Sequence, residues 1–256
     1  MIKYRKQFIS YLEDLRALEG WRAYEAMSAF LTCSYNAIRK TTELGVLADK
    51  CESDYMQVVH RCQKPKKSMA IMAKMLGLVT MALEERLADF IGPVFMETSA
   101  SDRMGQFFTP DSVCYMMAQT TLAKAPAILE RQSHITIDEP ASGAGAMILA
   151  CCRYLKSIGV NYQMHCGFRL TDLDHDAYMA SYIQCSLAGV PARIIQGNTL
   201  TLELRDSART PMLMMRPWLA REATVLKQTQ EDTPGNIQIE SDGQMVIDWF
   251  GAEVAA

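Results

Sequence analysis

The feature that most constrains this chain is the run Asp138-Glu139-Pro140-Ala141-Ser142-Gly143-Ala144-Gly145. It follows His134-Ile135-Thr136-Ile137-Asp138, whose β-branched residues predict a short strand. After it comes an apolar stretch that predicts a helix over about 144–158, stopped by Gly159. Glycines at such a turn let backbone amides approach a ligand closely, and the N-terminus of the next helix favours a carboxylate or phosphate. A lone Gly-x-Gly says little, because tight strand–helix turns need glycine anyway. The rest of the pattern says more. Gly167-Phe168-Arg169-Leu170-Thr171-Asp172 predicts a second strand, residues 175–188 a helix closed by Gly189, and Ala192-Arg193-Ile194-Ile195-Gln196 a third strand. Strand, helix, strand, helix, strand is the order of a parallel sheet with right-handed crossovers.

Asp172 ends the second strand and is followed by Leu173 and Asp174. An acid at that place can grip the two hydroxyls of a ribose. The alternative is a helix N-cap or a turn residue, and the glycine turn upstream favours the ribose.

The first ninety residues read differently. Phe8, Leu12, Leu15 and Leu18 share one helical face ending at Gly20, and segments 22–38 and 42–62 predict two more helices. Met69, Met72, Leu76, Val79, Leu83, Leu87 and Phe90 recur at helical spacing over 68–91, a Met-rich stripe suited to core filling. Lys64, Lys66 and Lys67 around Pro65 make a basic turn, read first as solvated loop and second as a DNA contact. Residues 98–103 form a small polar loop, an expected boundary. Then Thr109-Pro110 predicts an N-cap with proline at the first helical position, and Val113, Met116, Met117 and Thr120 continue one face to about Ala125, where Pro126 stops the helix.

A chain of 256 residues that is 49% hydrophobic can bury a sizeable core. Its net charge of −3 excludes a general polycation, so an attraction to DNA needs a local basic face or a partner subunit. The eight cysteines show no Cys-x-x-Cys spacing and no His pairing, so no metal site is expected and buried reduced thiols in a cytoplasmic protein are. No run of about 18 apolar residues predicts a membrane span.

Taken together, Gly105-Gln106-Phe107-Phe108-Thr109-Pro110 and the later Asp138–Gly145 loop resemble the modification subunits of type I restriction systems, members of the adenine-N6-specific DNA methylases. Those proteins carry a Gly-Gln/Glu-Phe-Phe/Tyr-Thr-Pro segment upstream of an Asp-Pro-Ala-Cys-Gly-Ser-Gly loop, behind a helical domain. The resemblance implies an α/β, Rossmann-like methyltransferase fold that binds S-adenosylmethionine, preceded by a helical domain. It implies that Phe108, Thr109 and Pro110 line the methionine end of the cofactor, that Asp138, Ala141, Gly143 and Gly145 contact it from the loop, and that Asp172 holds the ribose. Gly197-Asn198-Thr199-Leu200 resembles the family's Gly-Asp-Thr-Leu, which places Asn198 at the adenine ring as a hydrogen-bond acceptor. The expected units are a helical domain over 1–98, a cofactor-binding domain over 103–222 and a polar tail with an apolar end over 223–256.

The family's catalytic element, Asn/Asp-Pro-Pro-Tyr/Phe/Trp at the end of a fourth strand, is missing. Its amide oxygen and a prolyl carbonyl accept hydrogens from the adenine amino group, and its aromatic stacks on the extruded base. The nearest pattern is Met215-Arg216-Pro217-Trp218, with Met where the acceptor belongs. Trp218 and Asn198 are the remaining catalytic candidates. A sheet of this type also needs about four more strands than the sequence offers.

Three functions follow. One is an adenine-specific DNA methyltransferase related to restriction–modification, with DNA as partner. Another is a cofactor-binding regulator or a subunit completed by a partner chain, which would also supply target recognition. The third is a methyltransferase for a small molecule or protein, since the loop and acid specify cofactor and not substrate.

Overall fold

The computed structural model describes residues 1–99 and 109–216, together with the backbone of 237–239 and 245–247. The chain opens with α1 (Ile2–Glu19), α2 (Ala23–Arg39), α3 (Val46–Arg61), α4 (Pro65–Glu85) and α5 (Ile91–Ser99). Gly20 ends α1 in the left-handed conformation, with its N–H on the Arg16 carbonyl. Glu19, buried at the end of α1, accepts from the backbone N–H groups of Gln63 and Lys64 and from Ser68, which ties the start of α4 to it. Phe8 makes edge contacts with Phe30 and Phe90 at 5.1 and 5.5 Å between ring centres, joining α1, α2 and the approach to α5. The Met-rich stripe is rotated from its expected setting. Met72, Met75, Leu78, Val79, Ala82 and Leu83 are the buried apolar residues of α4, and Phe90 lies beyond its end.

There follow α6 (Asp111–Thr121), α7 (Ala125–Leu129), β1 (Ile135–Glu139), α8 (Ala146–Ser157), α9 (Tyr162–His165), β2 (Cys166–Asp172), α10 (His175–Leu187), β3 (Ala192–Asn198), β4 (Glu203–Arg209) and α11 (Pro211–Met214). Last come β5 (Ile237–Ile239) and β6 (Met245–Ile247), an antiparallel pair of their own. The α/β expectation holds, with a helical part leading into a sheet of order β1-β2-β3-β4. Strands β1, β2 and β3 are parallel, and both crossovers step the same way, which places α8 and α10 on one side of the sheet.

Three local expectations are corrected. Pro110 is the N-cap of α6 rather than its first residue, because its carbonyl already accepts from Val113 and Cys114. Pro126 does not stop a helix but sits in the first turn of α7, where its missing N–H costs nothing. The apolar stripe of α6 faces outward: Met116 is 59% and Met117 46% exposed, while the small Cys114 and Ala118 form the buried side. That small-residue side lies against α8.

The segment after Leu200, read as mixed, contains β4, which pairs antiparallel with β3. Its first three residues are exposed, so no alternation marks it. Among the described residues β1 is an edge strand.

The helical part is not detached. Tyr35 on α2 and Tyr178 on α10 share a hydrogen bond of 2.7 Å, and Ser28 donates to Asp176 at 3.2 Å. The Gln184 amide oxygen accepts from the backbone of Phe90 and Ile91, while its nitrogen donates to Asp89 and to the Ala144 carbonyl. One side chain of α10 thus joins the helical part to the glycine loop.

Candidate functional site

The turn between β1 and α8 is held by backbone bonds on both sides. Ser142 N–H donates to the Thr171 carbonyl at 2.9 Å and Gly145 N–H to the Ser142 carbonyl at 2.8 Å. Gly143 and Gly145 have φ of 52° and 95°, in the region where only glycine is unstrained. Beneath Gly145 is α10: a methyl group there would come within 3.5 Å of the Ser181 Cβ. Helix α8 then starts with no side-chain cap, leaving its first-turn amides pointing out of the turn.

Asp172 closes the site from β2. Its Oδ2 accepts from Gly143 N–H at 2.7 Å and its Oδ1 from Asp174 N–H at 2.9 Å. The helix-cap role belongs to Asp174, whose side chain accepts from Ala177 N–H. A carboxylate has about four acceptor sites, so Asp172 keeps one on each oxygen for a pair of vicinal hydroxyls.

Asp138 lies 3.6 Å from the Arg169 guanidinium, and burial holds its carboxyl above the usual range despite that neighbour. Glu139 is raised too, first by burial and further by Asp138 and Asp172, although Ala141 N–H donates to it. Two carboxyls with raised pKa beside a glycine turn are groups that a bound positive charge would stabilise in their ionised form.

Asn198 ends β3, but its Oδ1 accepts from Leu200 and Thr201 N–H at 2.9 and 3.3 Å. Its acceptor is therefore turned into its own loop, and its amide N–H groups are what it offers outward. Thr199 donates to the Pro140 carbonyl at 2.7 Å, tying this loop to the glycine turn. Thr109 and Pro110 precede α6 and are exposed. Phe108 and Trp218 lie outside the described residues, as do Pro217 and the rest of the segment from Gly105 to Phe107.

Sequence reasoning missed Ser142. Its Oγ is buried with no hydrogen-bond partner, in the middle of the glycine turn. A buried hydroxyl left unpaired is costly, and a polar ligand against the turn would complete it.

A family model described as N-6 DNA methylase matches residues 92–220, half of the chain. The chain belongs to the N-6 DNA methylase family. Its cofactor is accordingly S-adenosylmethionine, and the turn fits that molecule. The orphaned Ser142 hydroxyl, the uncapped start of α8 and the remaining acceptor sites of Asp172 are groups of the kind that a carboxylate and a pair of ribose hydroxyls pair with. Among solved structures, a class I S-adenosylmethionine-dependent methyltransferase from Listeria monocytogenes is similar at 13% identity and a TM-score of 0.43, over 75% of this chain and 52% of that one. This N-6 DNA methylase family member thus spans about half the length of that protein. No curated protein matches its sequence.

Away from the turn, a cleft of about 630 Å³ opens between α2, α3 and α10, lined among others by Arg39, Lys50, Arg61, His175 and Asp206. None of the glycine-turn residues lines it. Arg39 reaches Asp206 with two hydrogen bonds of 2.6 and 3.1 Å, so this carboxylate is committed to an ion pair and not to a base.

Proposed function

We propose that this chain is the cofactor-binding part of an adenine-specific DNA methyltransferase, completed by a partner polypeptide that supplies the acceptor for the adenine amino group. The observation that carries this reading is the 2.7 Å contact between Gly143 and Asp172, which brings the two halves of the cofactor motif together. In this reading Thr109, Pro110, Asp138, Ala141, Gly143, Gly145, Asp172 and Asn198 surround S-adenosylmethionine, with Phe108 beside them in sequence. When bound, the cofactor supplies an electrophilic methyl group. Asp172 grips the ribose hydroxyls, Ser142 and the first amides of α8 receive the carboxylate, and Asp138 and Glu139 face the positive charge. The chain's part in catalysis is placement, which can lower a barrier by several kcal/mol when the geometry is right.

Completion by a partner is supported at the three places where the sequence offers a position for the acceptor. Asn198 has its oxygen in a turn, Asp206 is paired with Arg39, and Met215 has no acceptor of the required kind. Among the described residues β1 is an edge strand, and a further strand would pair there. A cofactor-binding regulator is the second reading, favoured by the same use of Asn198. We also infer a cytoplasmic setting, a link to restriction–modification, and units over 1–98, 103–222 and 223–256. Among the described residues no helix is long and apolar enough to cross a membrane.

The test pairs calorimetric S-adenosylmethionine binding with transfer of labelled methyl groups to unmethylated DNA. Binding without transfer by the purified chain is the expected result. Strong transfer by this chain alone, abolished by Asp138→Ala, would remove the need for a partner. Absence of cofactor binding would overturn the whole reading.

A further inference from the structure

The cleft between α2, α3 and α10 has a volume of about 630 Å³, within the range of small-molecule sites, roughly 300–1,000 Å³. Its α2 wall carries Thr32, Asn36 and Arg39, and its α3 wall Lys50, Asp54 and Arg61. These stand three, four or seven residues apart, the spacing that puts side chains on one helix face. Cys51, Val58 and Met179 are buried and supply apolar atoms to the lining. Arg39 is already engaged, since it holds Asp206 and Glu43.

Asn36 is the unusual member. It is 5% exposed, yet among the described residues its side chain makes a single hydrogen bond, from Nδ2 to the Thr32 carbonyl at 2.9 Å. Only the nitrogen can face a carbonyl, so the orientation of the amide is fixed. One N–H and the oxygen stay unpaired at the cleft. A buried amide left short of partners is costly, and a ligand that offers an acceptor beside a donor completes it. The cations differ from Arg39. The Arg61 guanidinium lies over Trp21, 4.8 Å from the ring centre, and neither it nor Lys50 pairs with a carboxylate among the described residues. With Arg39 and Asp206 cancelling, Lys50 and Arg61 against Asp54 leave the lining one positive charge in surplus.

We infer that this cleft is a second small-molecule site and takes an adenine nucleotide, with Asn36 on the edge of the base and Arg61 on the phosphate. Adenine presents an amino donor beside a ring-nitrogen acceptor, the complement of a side-chain amide, whereas guanine presents two acceptors on the corresponding edge. The flat faces of a base suit the apolar atoms of Val58 and the polarizable sulfur of Met179. A guanidinium with no carboxylate of its own is the natural partner of a phosphate. A nucleic-acid strand fits less well, because its backbone asks for a line of cations and this lining has a surplus of one. The cleft is separate from the glycine turn: neither that turn nor Asp172 lines it. The inference therefore does not depend on what the turn binds.

The test is calorimetric titration of the full chain with AMP, alone and over saturating S-adenosylmethionine. AMP should bind in both cases, about tenfold more tightly than GMP or adenosine. Asn36→Leu should lower AMP affinity about tenfold, and Arg61→Gln should remove the advantage of AMP over adenosine. Circular dichroism of each variant should match the parent. Arg61 is exposed, so its variant keeps the test decisive even where Asn36→Leu does not fold. Loss of the AMP signal over saturating S-adenosylmethionine would put AMP in the glycine turn and overturn the inference. So would no AMP binding by the parent, or AMP affinity unchanged in Arg61→Gln or in a folded Asn36→Leu. Displacement of AMP by single-stranded oligo-dA at lower concentration than by free adenosine would overturn it in favour of a nucleic-acid groove.

Discussion

The Asp172 carboxylate and the Gly143 backbone N–H are 29 residues apart in sequence and 2.7 Å apart in space. This contact joins the acid that closes β2 to the turn that opens α8, and it fixes the orientation of both before any ligand arrives. In the proposed reading, replacing Asp172 with alanine removes the ribose acceptor as well as unpinning the turn. Cofactor affinity should fall by roughly 1.5–3 kcal/mol, the range for a hydrogen bond to a charged group. Titration calorimetry measures it, and an unchanged affinity would show that Asp172 serves the turn alone.

Gly197→Ala should be far more damaging than its small size suggests. Gly197 sits where the pairing of β3 and β4 shifts register, and an added methyl would run into the backbone carbonyl of Glu203. A backbone oxygen cannot swing aside as a side chain can. A loss of about 1–3 kcal/mol is expected, as for overpacking in a core. Chemical denaturation measures it; a change below about 0.5 kcal/mol would mean that the β3–β4 connection yields freely.

The Arg39–Asp206 pair pins β4 to α2 across the boundary between the helical part and the sheet. Arg39 is 6% exposed, so Asp206→Asn leaves a buried cation with Glu43, 3.3 Å from its Nε, as the remaining carboxylate. The cost should be about 3 kcal/mol, at the low end for breaking a buried pair because Asp206 itself is 27% exposed. Burial pulls the Asp206 pKa upward, but the bond and charge of Arg39 outweigh it and the net shift is downward. A depressed carboxylate stabilises the fold above its unfolded pKa and loses that contribution as pH falls through the folded value. The parent should therefore lose stability below about pH 4, and the Asn variant should lose less over the same window.

The alternation of strand and helix from Ile135 to Asn198 was legible because each element announces itself locally, by β-branched runs, helical apolar spacing and glycine stops. The meeting of the glycine turn with Asp172 was legible for the same reason, since parallel crossovers bring strand ends to one rim. The second cleft was not, because Asn36, Arg61 and Met179 stand on three helices and come to line one cavity only once α2, α3 and α10 pack. Strand β4 was hidden by its exposed first half, which carries no alternation. The α6 stripe misled because its methionines look like core, whereas the small Cys114 and Ala118 provide the packing side. Ser142 gave no signal, since a serine in a glycine turn is ordinary until its hydroxyl is found buried and unpaired.

The last prediction concerns pH and the two carboxyls at the end of β1. Asp138 and Glu139 are both raised, chiefly by burial, so in the free protein each keeps its proton to a higher pH than usual. S-adenosylmethionine carries a sulfonium and an ammonium group, and either favours an ionised carboxylate beside it. Binding should then release protons. Affinity must rise with pH while these groups still titrate, and level off once both are ionised in the free protein. The rise belongs just above the ordinary carboxylate range, and it should shrink in Glu139→Gln. Calorimetry in two buffers of different ionisation enthalpy counts the protons directly. A flat affinity from pH 5 to 8 with no proton release would show that the cofactor's positive charge lies away from Asp138 and Glu139, and the assignment of Asp138 to the cofactor site would then have to be withdrawn.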